Sequence, residues 1–178
     1  MRTVSVTWDQ AAGRFTALGR IDGQVISINA PSWPTEEHRA PTGFSATELL
    51  LAGAGSCAAW DVVEILRKRR ADITSLDVAV DGEQQADPPW TYRSVTLHFR
   101  ISGEGLRVPV LARVIRLSIV RYCSVITTIA GAAAIAATVE LVEADGSTTG
   151  RVPIELALPA VPLPPGLEPT DDEDEAAD

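Results

Sequence analysis

The amino-acid sequence predicts an α+β fold. Three observations carry that prediction. Alternating, strand-like runs open the chain, a long apolar helical run follows them, and a second set of strands and helices comes after it. The run Tyr92–Ser102 alternates cleanly, with Val95, Leu97, Phe99 and Ile101 on one face and Thr96, His98 and Arg100 on the other. Ser45 and Glu48 stand in capping-box spacing before the apolar run, so a helix start is written into the sequence there.

The elements follow in order. Thr3–Trp8, Arg14–Gly19 and Gln24–Asn29 read as a three-stranded meander, with Asp22-Gly23 as a two-residue hairpin turn. Residues 31–43 hold three prolines and read as a loop. The helix from Ala46 to about Arg70 is apolar almost all round, which predicts a buried central helix, and it ends in Arg67-Lys68-Arg69-Arg70, cations suited to a helix C-terminus. Two strands are expected at Ser75–Gly82 and Tyr92–Ser102, broken by Asp87-Pro88-Pro89. Helices are expected at Pro109–Leu117 and from near Cys123 to Gly131, and a closing strand at Thr138–Ala144. This order argues against a βαβ winding. Residues 1–150 read as one domain. Residues 151–178 read as a proline-rich and then acidic tail, extended or disordered from Pro159.

The formal net charge of the 178 residues is −9. Glu168, Asp171, Asp172, Glu173, Asp174, Glu175 and Asp178 carry seven of those charges, so the rest of the chain is at −2. The acidity is a property of the tail and argues against nucleic acid as a partner. The opening MRTVSVTW alternates and has no apolar h-region, and LLLAGAGSCAAW is short and glycine-rich for a bilayer span, so no signal peptide and a soluble, cytoplasmic protein with no membrane partner are expected.

Two cysteines carry the best chemical lead. Cys57 lies within the apolar helix and Cys123 at the start of a later one. In a reducing compartment, widely spaced cysteines are more often reactive than structural. Cys123, at a helix N-terminus with Arg121 close by, is expected to have a lowered pKa. Cys57, two turns into an apolar helix with Asp61 one turn on, is expected to have a raised one and to need a cation as activator. The alternative is that both are small buried hydrophobes. Glu48 is either a capping residue or a carboxylate that orients the activating arginine. Glu48 and Cys57 are nine positions apart, half a turn out of phase and about 13 Å apart along a straight helix. Cooperation between them therefore needs a helix broken at Gly53 or Gly55, or a second chain.

The stretches ATELLLAGAGSCAAWDVVEILRKRR, DPPWTYRSVTLHF and LARVIRLSIVRYCSV resemble the OsmC/Ohr family of thiol-dependent hydroperoxide reductases, over about Gly43 to Leu141. The resemblance implies an intertwined homodimer of antiparallel sheets packed around two long central helices. It implies that Cys57 attacks an organic hydroperoxide and becomes a sulfenic acid, and that Cys123 resolves it to a disulfide, which an external dithiol reduces. It implies no metal or organic cofactor. It gives Glu48 the role of holding an arginine against the Cys57 thiolate. Arg39 is the first choice for that arginine, then Arg20, then Arg14. The sequence departs from the family at Ser45-Ala46-Thr47, where a proline is usual, and at Ser118-Ile119-Val120-Arg121. A competing function from another class is a binding or structural dimer that keeps this fold without efficient catalysis.

Other candidates are weaker. His38 and His98 have no metal-ligand spacing with the cysteines, Ser56 lacks a nucleophile-elbow context, and no glycine loop suits a phosphate. Trp60 and Trp90 are expected to pack or to wall a pocket, and Trp33 to line an apolar entrance.

Overall fold

The structure, a computed structural model, describes residues 4–9, 14–18, 25–28 and 43–158. One compact unit lies within Met1–Gly53 and a second within Ala54–Asp178. In the first unit, β1 (Ser5–Asp9), β2 (Arg14–Leu18) and β3 (Val25–Ile28) form an antiparallel sheet in sequence order, the meander expected from the alternation. The Asp22-Gly23 turn, most of the proline-rich loop, Arg20, Trp33, His38, Arg39 and everything from Pro159 lie outside the described residues.

Helix α1 runs unbroken from Ala46 to Lys68, through both Gly53 and Gly55. The capping box starts it. The Ser45 backbone N–H donates to Glu48 Oε2 at 2.7 Å, and the Glu48 N–H donates to Ser45 Oγ at 3.1 Å. Two of the helix's orphan donors are thereby satisfied. By length and composition α1 could cross a membrane, unlike the shorter stretch weighed from the sequence alone. It is not buried all round as its composition suggests. Ala54, Ala58, Val62 and Leu66 recur every fourth residue as one fully buried stripe, while Trp60 is 70% exposed.

In the second unit the sheet order is β4 (Asp72–Gln84), β5 (Tyr92–Glu104), β6 (Ala134–Val142) and β7 (Val152–Ile154). The expected apolar face of β5 is its core: Val95, Leu97, Phe99 and Ile101 are at most 1% exposed. On the other face, His98 donates or accepts at Thr138 Oγ1 (2.8 Å) and meets Asp81 Oδ2 at 3.0 Å, so this histidine ties three strands together. At Gly55 α1 lies close against the sheet, since a Cβ built there would lie 2.8 Å from Val80 Cγ2.

Between β5 and β6 the chain forms α2 (Val108–Leu117), one π turn (Ser118–Tyr122) and α3 (Ser124–Ile129). Pro109 sits in the first turn of α2, where its missing N–H costs nothing. β5 and β6 pair in parallel, so this connection is a β–α–β crossover. That corrects the expectation of no such winding, although the fold as a whole remains α+β. β6 begins earlier than its alternation suggests. β7, which pairs antiparallel to β6 at Val139–Val152, lies past Gly150 in a stretch whose prolines hide a strand.

Candidate active site

The second unit brings Cys57 and Cys123 together. Cys57 is half-buried on α1, Cys123 is fully buried at the N-cap of α3, and both are free thiols. Their side chains are hydrogen-bond partners.

The local backbone explains why Cys123 points where it does. The Cys123 N–H donates to Ser118 O at 2.9 Å, which closes the π turn. The residue then leaves helical geometry (φ −72°, ψ 99°) and caps α3, its Sγ accepting from the Ile126 N–H at 3.4 Å. Thr127 adds two bonds to the Cys123 carbonyl, from its N–H at 3.1 Å and from Oγ1 at 3.0 Å. A π turn shifts side chains off the regular helical rows and is common at functional sites. Here it seats the second sulfur under α1.

Ser118, at the start of that turn, is the buried bolt between the two segments. Its hydroxyl donates to the Ala58 carbonyl of α1 at 3.0 Å and also hydrogen-bonds the Asp61 carboxylate. Cys57, Ala58 and Asp61 therefore all meet the segment Ser118–Cys123, because positions one turn apart share a helix face.

The electrostatics correct one expectation. Burial, the largest cause, pushes the Cys123 thiol up to about 12, and its hydrogen bond with Cys57 pushes the same way. The N–H of Ile126 opposes this and loses. α3 has only six residues, and Arg121 is exposed, so neither the helix terminus nor that cation offsets removal of the sulfur from water. Cys123 is thus a protonated donor beside Cys57.

Asp61 carries a cost of its own. Burial raises its pKa, and the Ser118 hydroxyl only partly offsets that, since its one proton is shared with the Ala58 carbonyl. Oδ2 is buried with no hydrogen-bond partner. Sequence reading weighed Asp61 only as a charge near Cys57. Its link to Ser118 depends on the π turn, for which the sequence carries no signal.

Glu48 lies in the other unit, exposed, with its carboxylate on Ser45. The Ser45 backbone N–H and then its hydroxyl hold the Glu48 pKa below the usual value. Arg14 lies on β2, and Arg39 and Arg20 fall outside the described residues. Among the described residues no group of three or more His, Cys, Asp or Glu side chains could hold a metal ion.

Comparison with known proteins places the chain in a family. Residues 38–138 match the family model described as OsmC-like protein. Protein YhfA of Escherichia coli K12 is 38% identical over 81 residues, a match that covers 46% of this chain and 60% of that protein's length. Among solved structures, an OsmC-like protein from Mycoplasma pneumoniae superposes with a TM-score of 0.65 at 19% identity, over 79% of this chain and 96% of its own. The organic hydroperoxide resistance protein OhrB of Bacillus subtilis superposes with a TM-score of 0.55 at 11% identity, over 78% and 97%. At such identities these structures speak for a shared fold.

Proposed function

The chain belongs to the OsmC-like protein family, and from that premise we propose that it is a thiol-dependent peroxidase that reduces organic hydroperoxides through Cys57 and Cys123. The observation that carries this reading is the contact between the two free thiols, sixty-six positions apart in sequence and hydrogen-bonded in the fold. Two buried hydrophobes have no need of each other's sulfur. A dithiol that cycles through a disulfide needs that proximity.

The chemistry proceeds in three steps. The Cys57 thiolate attacks the terminal oxygen of the hydroperoxide and the O–O bond breaks. The alcohol leaves after taking a proton, and Cys57 becomes a sulfenic acid. Cys123 then gives up its proton and attacks the Cys57 sulfur. The S–O bond breaks, the hydroxyl leaves as water, and a disulfide forms. An external dithiol returns both thiols by exchange and is itself oxidised.

Ionisation of Cys57 is assigned to an arginine, with Arg39 as the candidate, and Glu48 orients it. An unbroken helix puts positions nine apart half a turn out of phase. The continuity of α1 through Gly53 and Gly55 therefore favours a site in which Glu48 of one copy serves Cys57 of a second. A homodimer also gives the exposed Trp60 of α1 an apolar partner.

The test is hydroperoxide consumption with cumene hydroperoxide and a dithiol reductant. The wild-type chain should outpace an equal concentration of small-molecule thiol by orders of magnitude, and Cys57→Ser should fall to the background rate. A wild-type rate no greater than that of free thiol would support the binding or structural dimer instead.

A further inference from the structure

Four arginines line one groove of the second unit. Arg69 follows α1, Arg113 and Arg116 lie on α2, and Arg121 lies on the π turn. Leu117, Val120 and Ala157 complete the walls of a cavity of about 370 Å³. No carboxylate lines it, and among the described residues none of the four guanidinium groups is in an ion pair. Four exposed like charges around one cavity repel one another, which makes the groove a site for a ligand carrying several negative charges.

The chain itself supplies such a ligand. Ala157, a wall of the groove, is next to the last described residue, Leu158, so the polypeptide leaves the described fold at the groove's rim. Eleven positions beyond Ala157 begins the run Glu168, Asp171, Asp172, Glu173, Asp174, Glu175 and Asp178, seven carboxylates with no cation among them. Eleven residues span at most about 40 Å, ample to return to the groove from its own edge. A tether of that length sets an effective concentration near the millimolar range, so even weak ion pairs are occupied in cis. Arginine suits this task because its fork binds carboxylates in a bidentate way.

We propose that the Arg69–Arg113–Arg116–Arg121 groove is the docking site of the chain's own acidic run, residues 168–178. Docked there, the tail ties down Leu117, Val120 and Arg121, the segment that leads into Cys123. The proposal does not depend on the peroxidase reading, since it concerns only where the tail sits.

The test is the amide spectrum of residues 168–178 in the full-length chain at low ionic strength. The tail resonances should stand away from random-coil positions. They should return to them in an Arg113→Gln/Arg116→Gln/Arg121→Gln variant, and in about 1 M salt, where the screening length falls to about 3 Å. The reciprocal variant, with the seven carboxylates replaced by their amides, should move the side-chain resonances of Arg116 and Arg121 while leaving the folded body unchanged. Random-coil tail resonances in the wild-type chain would overturn the proposal, as would tail resonances indifferent to the arginine substitutions. ATP serves as a competing polyanion. Displacement of the tail by ATP supports the docking, and ATP that shifts the groove arginines while the tail signals stay fixed would assign the groove to a phosphate ligand instead.

Discussion

Cys123 holds its proton tightly, so its deprotonation is expected to limit the proposed cycle. Burial is the first cause of its raised pKa, and burial persists after Cys57 has been oxidised. The thiolate is the attacking form. The rate of disulfide closure should therefore rise about tenfold per pH unit between pH 7 and 9, measured by rapid quench after one equivalent of hydroperoxide; a flat profile would show that Cys123 is not the limiting acid. Asp61 gives a second prediction. Its folded pKa is raised, so the stability it contributes is fully present below the unfolded value of 3.8 and is lost as pH rises through the folded value. Asp61→Asn removes that loss. The variant's advantage over wild type in denaturant unfolding should thus be largest at neutral pH and shrink towards acid pH, where Asp61 is protonated; an advantage constant with pH would mean that Asp61 is not desolvated. For Glu48 the capping and catalytic roles separate in Glu48→Gln, because glutamine still completes a capping box. If Glu48 orients the activating arginine, the variant should keep its helix by circular dichroism and lose tenfold or more in hydroperoxide rate. An unchanged rate would leave the residue as a cap alone.

Much of each helix and strand was legible because local rules decided it. The Ser45–Glu48 box and the alternation of Val95, Leu97, Phe99 and Ile101 need no distant partner to be recognised. What was hidden depends on distant partners. The π turn exists because Ser118 and Cys123 must both reach α1, β7 because Val139 offers an edge to Val152, and the parallel register of β5 and β6 because the intervening helices return the chain to the same end of the sheet. The same reason explains the misjudged acidity of Cys123, since burial is a property of the finished core and not of the residues beside it. The contact of α1 with the sheet gives this level its own test. Gly55→Val places methyl groups against Val80 and should destabilise the chain by about 1–3 kcal/mol in urea unfolding; a neutral substitution would show that α1 and β4 are not in close contact there.

For the molecule as a whole, α1 is the element on which most else depends. It buries one stripe, presents Cys57 and Asp61 to the π turn, and leaves Trp60 in solvent. A helix so apolar with one face unpaired suits assembly, and the proposed site with Glu48 acting on a second copy requires it. Sedimentation equilibrium should return about twice the chain mass of 18.9 kDa at micromolar concentration, and a monomer under those conditions would remove the intermolecular role of Glu48. The family and the α+β fold were readable in the sequence through the segments around Glu48, Cys57 and Cys123. The arginine groove was not, because Arg69 and Arg121 are fifty-two positions apart and only the fold sets them side by side.

The most direct test of the account is the intact mass of the chain after one equivalent of cumene hydroperoxide, without reductant. The wild-type protein should become lighter by two hydrogens, with Cys57 and Cys123 joined in the peptide map. Cys57→Ser should show no change, and Cys123→Ser should gain one oxygen that dimedone captures. A wild-type chain that stays fully reduced, or that gains oxygen without forming the Cys57–Cys123 bond, would contradict it.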